Sequence, residues 1–280
     1  MNKTLYVSDL DGTLLSTDSR ISQKSSQIIS ELSDCGAMIT VATARTPATV
    51  VPLLAQTCTR PPAVVMTGCA YWLRGDNCFD RPHFLPAHEV EAALDFCSRH
   101  KVHPFVYIMA PDGKSLDVYH AAKRLNKAEE SFYIERSNLV LKRFHLGTPA
   151  PLRAATDTML LFAMGEEREI RMAADEFASG SNCSVCCYPD VFNPKIWNFE
   201  VFPQGISKAS AVTALKSELG ADRLVVFGDS LNDLPMFDVA DVAVAVGNAL
   251  QEVKEAADIV IDPNYTDAVA RFIYKDFHGS

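Results

Sequence analysis

The run Asp9-Leu10-Asp11-Gly12-Thr13 begins where a short apolar segment, Leu5-Tyr6-Val7, ends. An extended backbone turns alternate side chains to one side, so Asp9 and Asp11 can address the same point in space. Gly12 lets the chain turn sharply there without a Cβ penalty. Two carboxylates held together at a strand end suit metal binding or a nucleophile-plus-acid pair. Asp-Gly is also common in plain turns, but four fixed residue types coincide by chance on the order of 10⁻⁵ per position. A second run, Gly228-Asp229-Ser230-Leu231-Asn232-Asp233, follows the apolar residues 224–227 directly. With a helix starting near Ser230, Asp229 and Asp233 fall one turn apart on one face; the alternative is an acidic N-terminal cap.

Two single residues add to these. Thr43, in Thr43-Ala44-Arg45 after the apolar run 37–42, offers a hydroxyl and a backbone N–H to a phosphate, or merely caps a helix. Lys208 opens a helix after Gly205-Ile206-Ser207. A cation there opposes the helix dipole, which points to a task outside the helix, although an isolated surface lysine is the ordinary case.

The elements that must hold these residues are legible in the apolar pattern. Residues 5–7, 37–42 and 63–66 are short apolar runs near the start; 224–227, 242–246 and 259–261 repeat the rhythm near the end. Ser22 caps a helix with Ile28, Ile29 and Leu32 inward and Gly36 as its stop. Pro47 suits the first turn of another helix, and residues 207–219 read as a helix closed by Gly220. Short strands alternating with helices predict an α/β core with a parallel sheet covered on both faces. Ligands bind such sheets beyond the carboxyl ends of the strands, where these segments lie.

The middle of the chain differs. Residues 89–100 form an amphipathic helix with Val90, Ala93, Leu94 and Cys97 on one face. Residues 105–109 and 115–119 flank Pro111-Asp112-Gly113, a hairpin signal. Residues 158–164, 167–177 and 183–187 read as strand, helix and strand. This pattern predicts a separate α+β domain, residues 83–190, inserted into a core built from 1–82 and 191–280.

A chain of 280 residues, 48% of them hydrophobic, is ample for both domains. It has no run of about 18 apolar residues and no signal-peptide pattern at its start, so it is expected to be cytoplasmic. A net charge of −9 argues against nucleic-acid and anionic-membrane partners. Cys183, Cys186 and Cys187 are the one cysteine cluster, with too few ligands nearby for a structural zinc site. Residues 123–143 hold six basic side chains against three acidic ones, a solvated face or an attractor for an anionic substrate.

In this order and on these strand ends, the four segments resemble the motif set of the haloacid dehalogenase (HAD) superfamily. The insertion between Thr43 and Lys208 resembles its type-IIB cap, as in Cof-type sugar-phosphate phosphatases. The resemblance spans the chain, and Asp267-Ala268-Val269-Ala270 is similar to the Cof-type terminal helix. Thr67-Gly68-Cys69 stands where Cof-type members usually carry Asn-Gly-Ala, and Thr43-Ala44-Arg45 where they carry Thr-Gly-Arg. The resemblance implies a Rossmann-like three-layer core, a cap that sets specificity, and Mg2+-dependent hydrolysis of a small phosphorylated metabolite, sugar phosphates first. It implies that Asp9 attacks phosphorus, while Asp11 protonates the leaving oxygen and then activates water. Magnesium would be held by Asp9, the Asp11 carbonyl and Asp229. Thr43, Lys208 and Asn232 would surround the phosphoryl group, and Asp233 would orient Lys208 or a metal-bound water. The alternatives are a phosphomutase of the phosphomannomutase type and a catalytically idle regulatory or binding protein on the same scaffold.

Overall fold

The first apolar run is strand β1 (Thr4–Ser8), with Leu5, Tyr6 and Val7 buried. The computed structural model describes residues 3–151, 153–190 and 193–279. A helix, Gln23–Asp34, follows with Ser22 as its cap, the hydroxyl accepting from the Ser25 N–H. It leads to β2 (Met38–Val41), and Pro47 opens the next helix, Pro47–Leu53. The run at 63–66 departs from expectation. It forms β3 (Ala63–Val65), which pairs antiparallel with β4 (Ala70–Leu73), and β4 with β5 (Cys78–Asp80). It also lies beside β2, through the parallel bridge of Ala42 with Val64 and the Thr43 N–H donated to the Val64 carbonyl. Met66 and Thr67 adopt positive φ of 51° and 58°, and there the chain doubles back from β3 into the hairpin with β4.

The inserted segment is a compact unit, Arg81–Ile206. Its strands are β6 (Phe105–Met109), β7 (Leu116–His120), β8 (Lys142–Leu146), β9 (Thr158–Glu166), β10 (Cys183–Pro189) and β11 (Ile196–Pro203). They form one sheet in the order β10-β11-β9-β6-β7-β8. In the hairpin between β6 and β7, Asp112 Oδ1 accepts from the N–H groups of Lys114 and Ser115. One sheet face packs Val106, Ile108, Leu161, Phe199 and Val201 against apolar residues of the helices Ala87–Arg99 and Glu167–Gly180, such as Phe96 and Phe177. On the other face Phe105 and Phe162 meet Phe132 of the helix Lys127–Arg136.

Residues 193–206, expected in the core, belong here because β11 lies between β9 and β10. Trp197, Phe199 and Val201 alternate with Asn198 and Glu200, the period-two pattern of an antiparallel strand with one apolar face. The expected boundary falls beside Val191 and Phe192, outside the described residues.

The chain then completes the other unit, Met1–Asp80 with Ser207–Ser280. The helix Lys208–Glu218 leads into β12 (Arg223–Gly228), β13 (Val242–Ala245) and β14 (Ile259–Val260). With β1 and β2 these make a parallel sheet in the order β14-β13-β12-β1-β2. Among the described residues, no helix is long and apolar enough to cross a membrane.

Candidate active site

Register brings the first two acidic runs together. Ser8 of β1 stands opposite both Phe227 of β12 and Val41 of β2. The Asp9 N–H donates to the Phe227 carbonyl at 3.0 Å, and the Ala42 N–H to the Ser8 carbonyl at 2.9 Å. Asp9, Gly228 and Thr43 therefore leave the sheet at the same edge. After Asp9 the chain closes a tight turn at Gly12, φ +74°. A Cβ on Gly12 would lie 2.2 Å from Asp229 Oδ2, so only glycine lets the turn approach that carboxylate. Thr13 Oγ1 donates to the other oxygen, Asp229 Oδ1, at 2.9 Å.

Lys208 is the cation of the site. Its ammonium donates to Asp9 Oδ1 at 2.6 Å and to Asp233 Oδ1 at 2.8 Å. All three groups are nearly removed from water: Lys208 is 3% exposed, Asp9 5% and Asp233 0%. Buried charges persist only when paired and hydrogen-bonded, and Asp233 meets that demand fully. Its second oxygen accepts from the N–H groups of Asp229 and Ser230 at 3.1 and 3.2 Å. That approach needs Gly228, whose Cβ would fall 2.6 Å from the Asp233 Cβ.

Negative charge is in surplus. Asp9, Asp229 and Asp233 each present an oxygen within 4.8 Å of the others, against the single Lys208 ammonium. Burial, followed by Asp233, pushes the Asp229 carboxyl up to about 6. Burial raises the Asp9 pKa well above the usual carboxylate range, with Lys208 opposing and Asp233 adding to it. Burial works against the Lys208 charge too, but Asp233 and Asp9 hold it above the ordinary lysine value. An all-oxygen donor set short of positive charge fits a hard divalent cation. Since both Asp233 oxygens are engaged, Asp9 and Asp229 are the carboxylates left to hold one.

The remaining expected residues are placed as follows. Thr43 is buried, but its N–H is already donated to the Val64 carbonyl, which corrects the expectation that it is free for phosphate. Its hydroxyl oxygen accepts from the Arg45 N–H at 3.1 Å. Asn232 is exposed, and its Oδ1 accepts from the Ser230 hydroxyl. Asp11 points its carboxylate at Arg45, which reaches both oxygens at 2.6 Å. Arg45, Thr13 and Asn248, whose amide donates to the Gly12 carbonyl at 2.8 Å, are site residues that the sequence reading did not single out. Asn248 carried a usable signal, since it follows β13 at the same carboxyl edge of the sheet.

The haloacid dehalogenase-like hydrolase family matches residues 6–273, and the chain belongs to that family. It is a HAD phosphatase of the Cof type, acting on phosphorylated substrates. A curated relative, the 5-amino-6-(5-phospho-D-ribitylamino)uracil phosphatase YcsE of Bacillus subtilis, is 26% identical over 273 residues, covering 96% of this chain and 94% of that protein. Among solved structures, a haloacid dehalogenase-like hydrolase from Bacteroides thetaiotaomicron superposes with a TM-score of 0.79 at 22% identity, over 99% of this chain and 100% of that one. The HAD subclass IIB sugar phosphatase BT4131 gives a TM-score of 0.72 at 21% identity, over 99% of each chain. Phosphatases of this family typically use a divalent metal, and the acidic cluster is suited to one.

Proposed function

We propose that this chain is a magnesium-dependent phosphatase that hydrolyses a small phosphorylated metabolite, a sugar or sugar-alcohol phosphate first, through an aspartyl-phosphate intermediate. The observation that carries this reading is the Lys208 ammonium held between Asp9 and Asp233. Phosphoryl transfer asks a protein chiefly to position charge and neutralise it. Asp9 Oδ1 is fixed by Lys208, and the attacking carboxylate thus arrives with a cation beside it to receive phosphoryl oxygens. A magnesium ion held by Asp9, Asp229 and the Asp11 carbonyl would supply the further positive charge that lets a carboxylate approach a phosphate dianion. Asp233 keeps Lys208 aimed, and the Thr43 hydroxyl adds a donor. Asp11 gives its proton to the leaving oxygen and later takes one from water. The substrate class is supported by what the similar proteins act on, a ribityl phosphate in one case and sugar phosphates in another.

The test is phosphate release from a panel of sugar, polyol and aryl phosphates, with magnesium and with a chelator. Release that requires magnesium and is greatest with sugar or polyol phosphates is the expected result. Equal release in the chelator, or none from any substrate, would reject the reading.

A further inference from the structure

The two-pronged contact between Arg45 and Asp11 has no counterpart in the roles assigned so far. Nε donates to Oδ2 and Nη2 to Oδ1, both at 2.6 Å. Such a fork fixes the plane of a carboxylate as well as its position. Among the described residues, Arg45 is the one side chain bonded to the Asp11 carboxylate. That carboxylate is 36% exposed, so without the fork it would be free to turn among rotamers. A carboxylate offers about four lone-pair sites, and the fork occupies two. Two remain for proton exchange.

Arg45 is itself held from behind. Its N–H donates to Thr43 Oγ1 at 3.1 Å, and its carbonyl accepts from the Met66 N–H at 3.0 Å. The Thr43 carbonyl accepts from the Thr67 N–H at 3.0 Å. Both donors of this clasp belong to the left-handed pair, Met66 and Thr67.

We propose that Arg45 is a positioning residue for the acid–base step: it aims the Asp11 carboxylate, and the Met66-Thr67 clasp keeps Arg45 in place. The proposal rests on the reading of Asp11 as the acid and base. Misplacing a reacting group by 1 Å can cost about 10²-fold in rate. That loss should fall on substrates whose leaving oxygen needs a proton and spare those whose leaving group departs as a stable anion.

The experiment compares wild type, Arg45→Met, Arg45→Lys, Asp11→Asn and the Arg45→Met/Asp11→Asn double variant. Each is assayed with magnesium on an alkyl phosphate and on 4-nitrophenyl phosphate. The quantity read is the ratio of kcat/KM for the two substrates in one preparation, which does not depend on how much of the protein is folded. Arg45→Met should lower the alkyl rate on the order of 10–10²-fold more than the aryl rate. Arg45→Lys, with no fork to offer, should fall between Arg45→Met and wild type. The double variant should show the same ratio as Asp11→Asn alone. Equal losses on both substrates in Arg45→Met, while Asp11→Asn still discriminates, would overturn the role of Arg45. An Asp11→Asn enzyme that fails to discriminate would overturn the reading of Asp11 instead.

Discussion

Asp9 and Asp11 stand two positions apart in sequence and meet different neighbours, a buried lysine for one and a half-exposed arginine for the other. The two should therefore fail differently. Asp9→Asn should stop turnover of every substrate, whatever its leaving group. Asp11→Asn should still release up to one equivalent of phenol from an activated aryl phosphate in a burst, then slow sharply because no base activates water. Rapid-quench kinetics with intact-mass analysis checks both; phosphate on a residue other than Asp9 would contradict the covalent reading. Asp229→Ala should weaken magnesium binding and rate together, measured by titration of the metal and by initial rates at limiting magnesium. The carboxylates were legible in the sequence because each follows a short apolar strand. The Arg45 fork was not, since its partner lies 34 positions away and no local spacing marks an arginine for a distant carboxylate.

At the scale of elements, the basic stretch 123–143 shows what a charge count misses. Lys123, Arg124 and Lys127 are exposed, but the others have partners within the inserted unit. Arg136 lies 4.3 Å over the Phe132 ring, and Arg143 Nε donates to Asp117 at 2.9 Å. Lys142, on β8, is buried with its ammonium 5.0 Å from the Tyr107 ring and 5.8 Å from that of Phe144. Burial, then Arg136, pulls its pKa from 10.5 down to about 7. Between those two values the unfolded chain binds a proton that the folded chain releases, so this lysine makes stability rise with pH across that window. Its penalty is complete below about pH 7, on the order of a few kcal/mol. Lys142→Met should therefore melt at a higher temperature than wild type at neutral pH, and the gap should close toward about pH 10. Thermal melts of both proteins across that range decide it; a gap independent of pH would mean that packing alone is at work. Only position 142 on the strand, set among rings, separates this lysine from its solvated neighbours, and periodicity in that stretch was too weak to reveal the strand or the helix Lys127–Arg136.

For the whole molecule, the alternation of short apolar runs with helices was enough to predict an α/β layer interrupted by an α+β unit. The boundary was displaced because β11 was read with the elements that follow it. The unit Arg81–Ile206 is contiguous in sequence and carries its own apolar core, from Leu85 and Phe96 to Phe199. Residues 81–206 expressed alone should melt cooperatively, keep the Lys142 dependence on pH, and release no phosphate; circular dichroism and a phosphate assay test each part. The other unit is different in kind. Strand β1, which leads into Asp9, has β12 on one side, and Lys3 and Asp222, hydrogen-bonded beside that pairing, are 219 positions apart. A ribosome adding about 5–20 residues per second leaves β1 without that neighbour for about ten to forty seconds. During that interval the inserted segment has emerged complete, while the apolar strand β1 waits with one edge open. Chaperones that shield such edges should be found on ribosome-bound chains that stop before β12, and should leave once β12 has emerged.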